Sequence, residues 1–156
     1  MAEINAKAYL VLAARLAVAA AFILAALPKI QDPVAFATSV EAYRVVGSEL
    51  SGWTALVLPW LELIIGVGIM APQLRRTSSL IAIFLLVLFI SLHASAWTRG
   101  LDISCGCFGQ SETEKTPNYL LLILRNLSLL LAAGVVFVRD LRNPRFFKGT
   151  KAESIS

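Results

Sequence analysis

Residues 80–97 read LIAIFLLVLFISLHASAW, eighteen positions without a lysine, an arginine or a carboxylate. At about 1.5 Å per helical residue the stretch is roughly 27 Å long. That nearly matches the ~30 Å hydrocarbon core of a bilayer. Three further runs of the same character occur, and the spans are read at about 8–28, 53–71, 78–97 and 118–138. Strands could cross with ~10 residues, but they would alternate apolar with polar side chains, and no alternation is present. The chain of 156 residues is 58% hydrophobic and 15% charged, against roughly 25% charged in soluble domains. It has too few polar groups to cover itself in water. The expected fold is all-α: a four-helix transmembrane bundle occupying 8–138, after a short N-terminus at 1–7 and before a basic tail at 139–156.

The first run is read as a span and not as a secretory signal. It is long for a signal core, Arg15 interrupts it, and ALPKI is a poor cleavage site. Net charge is +4, and its distribution orients the bundle. With four spans, the termini and the middle turn share one side. That side holds Lys7, Arg75, Arg76, Arg139, Arg142, Arg145, Lys148 and Lys151, against Lys29, Arg44, Arg99 and Lys115 opposite. Eight against four puts both termini in the cytoplasm by the positive-inside rule, so residues 98–117 face outward from a bacterial inner membrane. The tail charges are dispersed and follow a span, so they read as a topology anchor and not as a nucleic-acid site.

Between the first two spans, Asp32 suits a helix cap and Pro33 a first helical position. The following PVAFATSVEAYRVV places Phe36, Val40 and Tyr43 on one face. A short amphipathic helix is expected there, lying outward at the membrane surface. Pro59 is expected to kink span two or to begin its regular part. The short PQLRR turn makes spans two and three antiparallel neighbours, and Thr116 and Pro117 open span four.

Charges inside spans are expensive unless paired or hydrated, so each calls for a reason. Arg15, Glu62 and Arg125 lie within spans, and Lys29 and His93 lie near span ends. Counting helical rise, Glu62 sits ~13 Å, Arg125 ~10 Å and His93 ~6 Å below the outer surface, with Arg15 ~10 Å in from the other side. Glu62 is therefore expected to neutralise Arg125 or Arg15. Such a pair can serve as a structural register lock, or can line a polar cavity beneath the outer loop. His93 either satisfies a nearby carbonyl or relays protons.

The outer loop carries the chain's only two cysteines, Cys105 and Cys107, in SCGCFG at 104–109. Four readings compete. As small apolar residues they would be misplaced in a glycine-flanked loop. As a staple they would enclose almost no chain, and the entropic stabilisation would be small. As a metal site they lack the four ligands zinc prefers, with only His93 nearby, although Cu(I) accepts two thiolates. Thiol–disulfide exchange suits a strained, readily reduced ring on the oxidising side of a membrane. Arg99, or Arg125 from below, would favour the thiolate, and His93 or Glu62 would move the proton. There is no second cysteine pair, so electrons must come from or go to another protein, unless a quinone lies against the pair. No cofactor is required by the sequence. A non-enzymatic membrane scaffold for partner assembly, or a Cu(I)-handling protein, are the alternatives.

Four stretches together resemble a known family: RGLDISCGCFG at 99–109, LPWLELIIGVGI at 58–69, LPKIQDPVAFATSVEAYRVV at 27–46 and LLILRNLSLLL at 121–131. They look like the MauE family, methylamine-utilisation membrane proteins related to DoxX-type proteins, and the likeness covers roughly residues 10 to 138. By position it marks Lys29, Tyr43, Pro59, Glu62, Arg99, Cys105, Cys107 and Arg125. The resemblance implies a four-helix redox-associated membrane protein working with a periplasmic thioredoxin-like partner of the MauD type. Its implied client is a disulfide-containing protein, in the named family the small subunit of methylamine dehydrogenase.

Overall fold

The computed structural model describes residues 2–101 and 118–142, with side chains of the first helix from Tyr9 onward. They form α1 (Ala2–Gln31), α2 (Pro33–Ala42), α3 (Ser48–Met70), α4 (Arg75–Thr98) and α5 (Tyr119–Arg142). Among the described residues there is no strand. Tyr9–Gln31 of α1 and the whole of α3, α4 and α5 are each long and apolar enough to cross a membrane. The loop with Cys105 and Cys107 and the basic residues beyond Arg142 lie outside the described residues.

The four long helices form a ring. α1 packs chiefly on α3 and α4 chiefly on α5, and the α3–α4 and α1–α5 contacts close it. Neighbours run antiparallel, as the contact pairs require. Gly66 meets Ala19 and Ile23, whereas Glu62, earlier in α3, meets Lys29, later in α1. Likewise Arg15 reaches Asp140, while Lys29 shares a cavity with Arg125. The core between them is built from Val18 and Phe22, Ile65 and Ile69, Leu85 and Leu86, and Ala133.

The buried residues of α3 show how the sequence selects this packing. Ser51, Ala55, Pro59, Glu62, Ile65 and Ile69 are buried at intervals of three and four, the period of one helix face. Trp53, Trp60, Ile64 and Val67 on the remaining faces are more than half exposed, as expected of side chains that meet lipid. Pro59 lies inside α3 and is itself buried.

α1 does not stop at Pro28. One proline removes a single helical donor, and the helix closes beyond it through Asp32 N–H to the Pro28 carbonyl at 3.1 Å. Lys29 is thereby held on the helix and directed into the bundle. Asp32 caps α2 as its side chain allows, its Oδ1 accepting the Ala35 N–H at 2.9 Å, with Pro33 as the first helical residue. α2 buries Phe36 and packs on α3. α4 ends where Gly100 takes a positive φ of 61°, a conformation glycine adopts without strain. That turn lets the Leu101 N–H return to the Ala96 carbonyl at 3.1 Å.

Close approach of α1 to α3 depends on Gly66. A Cβ there would lie 2.7 Å from Ile23 Cγ1 and 3.0 Å from the Ala19 carbonyl oxygen, and small residues are what permit such approach between membrane helices. Gly66→Val is expected to destabilise the detergent-solubilised protein by about 1–3 kcal/mol, the usual range for overpacking. Gly134→Ala, whose added Cβ meets nothing within 4 Å, should leave the thermal unfolding midpoint at or above that of the parent. Equal midpoints for Gly66→Val and the parent would remove this glycine from the packing argument.

Candidate functional site

The most deeply buried charges of the described chain are Lys29 and Glu62, whose side chains are each 1% exposed. Lys29 Nζ donates to both carboxylate oxygens of Glu62, at 2.6 and 2.7 Å. The partners expected for Glu62 from depth alone were Arg125 or Arg15; Arg15 lies on Asp140 at the other end, and Lys29, left out of that expectation, makes the bidentate contact. Continuation of α1 through Pro28 is the reason, since it puts Lys29 at the height of Glu62. The ammonium also lies over two aromatic faces, 5.0 Å from the Phe36 centroid and 5.4 Å from that of Phe89. Ring quadrupoles add attraction for a desolvated cation. Phe36 was read only as part of the apolar face of the short helix and Phe89 as part of a span, so sequence reasoning missed their place around the ammonium.

Beside this pair is a cavity of about 180 Å³ bordered by α1, α3, α4 and α5. Lys29, Glu62, His93, Arg125 and Asn126 line it among apolar side chains. Four ionisable groups from four helices thus meet at one level of the bundle. His93 is buried, and its Nδ1 lies 2.5 Å from the Phe89 carbonyl. A carbonyl only accepts, so Nδ1 carries a proton and a neutral ring would present Nε2 as the basic nitrogen. Tyr43 stands edge-on to the imidazole, with centroids 6.1 Å apart. Asn126, buried beside Arg125 in sequence, was overlooked; its polarity in the middle of LLILRNLSLLL was the available signal.

A second cavity, of about 220 Å³, lies between α2, α3 and α4 on the other side of Lys29. It is apolar apart from a few groups, and Lys29, Phe89 and His93 line both cavities. Arg99 Nη1 donates to the Tyr43 carbonyl at 3.0 Å, tying the end of α4 to the end of α2. The Tyr119 hydroxyl donates to the Leu101 carbonyl. Leu101 and Asn118 flank the cysteine segment, so both of its attachment points lie at the Lys29 end of the bundle.

Arg15 is not part of this constellation. It lies at the opposite end, with Nη2 2.5 Å from Asp140 Oδ1. Arg76 donates to the Asp140 carbonyl at 3.0 and 2.6 Å. Arg75 donates to the Ile69 carbonyl at 3.2 Å, at the C-terminus of α3, where the helix dipole favours positive charge. Asp140 was readable as a partner, because it ends span four on the side where Arg15 begins span one. No group of three or more metal-ligating His, Cys, Asp or Glu side chains occurs among the described residues.

A ring of four membrane-crossing helices around a buried ion pair defines a multi-pass membrane protein with a polar centre between its helices. The particular family follows from comparison with known proteins. Residues 7–139 match the family model described as "Methylamine utilisation protein MauE", and the chain belongs to that family. It is 34% identical over 134 residues to the methylamine utilization protein MauE of Paracoccus denitrificans, covering 85% of this chain and 71% of that protein. The protein of the same name from Methylorubrum extorquens is 39% identical over 110 residues, 70% of this chain and 58% of its own. That of Methylophilus methylotrophus is 32% identical over 117 residues, 74% and 61%. The matches thus leave part of each relative's length unaccounted for. No solved structure matches the chain.

Removing one charge of the Lys29–Glu62 pair takes away the bidentate partner of the other, a change that in buried pairs typically costs about 3–5 kcal/mol. Glu62→Gln is therefore expected to lower stability by that order in detergent unfolding. The double variant Lys29→Met/Glu62→Leu, which removes both charges, should recover most of the loss. Glu62→Gln unfolding at the parent midpoint would mean that the pair does not hold α1 to α3.

Proposed function

We propose that this protein performs thiol–disulfide exchange on the outer side of a bacterial inner membrane through Cys105 and Cys107. The observation that carries the reading is the placement of Leu101 and Asn118. Between them runs a segment with both cysteines, anchored at the end of the bundle where Lys29, Glu62, His93 and Arg125 are gathered. Exchange needs a thiolate to attack and protons to be taken up as thiols form. Lys29 and Arg125 at that end are cations of the kind that favour a thiolate, and His93 and Glu62 are side chains able to carry protons.

The balance is simple. A client dithiol attacks the Cys105–Cys107 disulfide, and one S–S bond breaks as a mixed disulfide forms. The client's second thiol then displaces the protein's sulfur, leaving an oxidised client and a reduced Cys105/Cys107 pair. A thioredoxin-like partner is the expected carrier between this pair and the final client. Membership of a family named for methylamine utilisation points to maturation of a disulfide-containing component of methylamine metabolism. The gathering of Arg15, Arg75, Arg76, Arg139 and Arg142 at the opposite end supports cytoplasmic termini.

Single Cys105→Ser and Cys107→Ser variants, each expressed as the full chain, test the exchange. One of them is expected to accumulate a mixed disulfide with a thioredoxin-like protein, visible as a reductant-sensitive band. The double variant should trap nothing and fail to support maturation of the client. If neither single variant forms an adduct and the double variant still supports maturation, the protein is a scaffold. Loss of stoichiometric Cu(I) binding in the double variant, with no adduct in either single one, would assign the pair to copper.

A further inference from the structure

At the end of the bundle away from the Lys29–Glu62 pair, a groove of about 710 Å³ runs along α5, and the described residues that line it all belong to that helix. Its walls are two rows of side chains spaced by four, the spacing of ridges on a helix surface. One row is Leu130, Gly134, Val138 and Arg142; the other is Leu131, Val135 and Arg139. Each row is apolar along the span and ends in a guanidinium. Gly134 lowers the floor of the groove, since a Cβ there would meet nothing within 4 Å. α5 has 24 residues, about 36 Å of helix against a hydrocarbon core of ~30 Å. Its last turn therefore reaches the headgroups, while Leu131 and Val135, both exposed, stay at the level of acyl chains.

Charge decides what covers the groove. Arg15 and Arg75 already crowd one oxygen of Asp140, at 2.5 and 4.0 Å, and Arg76 takes the carbonyl of the same residue. In sequence, the segments 1–15, 71–76 and 139–156 hold nine basic residues against three acidic ones, Glu3, Asp140 and Glu153. With every acid matched, this side still keeps an excess of six positive charges. A second copy packed on α5 about a two-fold axis would set Arg139 and Arg142 against their own counterparts, because such an interface is built from one patch used twice. A zwitterionic lipid brings an ammonium along with its phosphate. An anionic phospholipid brings negative charge alone, and a guanidinium takes phosphate oxygens in a fork of two hydrogen bonds.

We infer that this groove holds an anionic phospholipid, its phosphate on Arg139 and Arg142 and one acyl chain lying over Gly134. Between membrane segments, close van der Waals packing replaces the hydrophobic effect as the source of preference, and the glycine is what lets an acyl chain approach the helix backbone. Basic sites on the cytoplasmic side of a membrane protein attract acidic headgroups by the same electrostatics. The site rests on the fold and its charges, independently of the exchange reading.

The test uses the full chain, delipidated in detergent and returned to nanodiscs of equal parts phosphatidylglycerol and phosphatidylcholine, with retained lipid read by native mass spectrometry. One phosphatidylglycerol per chain is expected on the parent and on Arg44→Gln, which removes an exposed cation at the other end. Arg139→Gln/Arg142→Gln should lower that retention about tenfold and erase the preference over phosphatidylcholine, with the parent's unfolding midpoint. Gly134→Leu, which keeps every charge and fills the groove, should lower retention as well. Should the arginine variant fail to insert or fold, Gly134→Leu decides together with a phosphatidylglycerol carrying a diazirine in its acyl chain. Photolabelling within residues 130–142 of the parent supports the site, and labelling confined to other helices overturns it. Equal retention of the two lipids by the parent, or retention unchanged in either folded groove variant, overturns it too. So does a mass of two chains that Gly134→Leu dissociates, which would give the groove to a second copy.

Discussion

The bundle is organised by a constraint that water would not impose: a lysine and a carboxylate buried between membrane helices must be matched by groups the helices themselves supply. Taking two charges out of water costs several kcal/mol per ion, and their attraction offsets this only when the geometry is close and bidentate. Lys29 and Glu62 meet that condition at 2.6 and 2.7 Å. The consequence for the chain is register. α1 cannot slide along α3 without separating the charges, and Gly66 keeps the two backbones near enough for a lysine to reach. α2 follows Lys29 almost at once, so its Phe36 is delivered onto the ammonium, and Phe89 meets it from α4. One ion pair thus locates four of the five helices.

Charge is segregated along the bundle axis. At one end, arginines from α1 and α4 converge on Asp140 of α5 and on the last carbonyls of α3. These are interfacial contacts, part-buried and within reach of headgroups and water. At the other end the charges are inward and enclosed, where a low local dielectric strengthens every interaction and makes every unmatched group expensive. The first arrangement suits anchoring, and the second suits chemistry. An ionisable residue within a span marks a functional centre by default, and here four of them line one cavity.

The architecture was legible because hydrocarbon is an unforgiving solvent. A run such as residues 80–97 has few other places to go, and Asp32–Pro33 is a local signal that needs no tertiary information. The three- and four-residue spacing from Ser51 to Ile69 could have been read in the same way. The pairing of charges was less accessible. Depth counting gives a residue's height in the bundle but not which way it faces, and pairing depends on both. Ending the first span at Pro28 put Lys29 at the interface on paper. A proline in a last turn only removes one donor, and Lys29 remains on the helix. Arg15 was offered to Glu62 on its counted depth, while Asp140 lay just past the limit drawn for span four, a boundary that hydropathy sets only to within a turn. The Phe36 and Phe89 contacts follow from packing alone, and no pattern of one chain announces them.

The two cavities give these observations their functional weight. Lys29, Phe89 and His93 belong to both, so a polar chamber inside the ring and an apolar chamber beneath α2 are separated by one layer of side chains. Lys29 and His93 border both chambers, so one ammonium and one imidazole face each of them, with Phe89 beside them. Stability alone gives no reason for such a wall. The bundle could then have been sealed with leucine at Lys29, Glu62 and His93 at lower cost in desolvation. On that reasoning the buried polar wall, which spends desolvation that an apolar seal would save, marks the functional centre of the molecule.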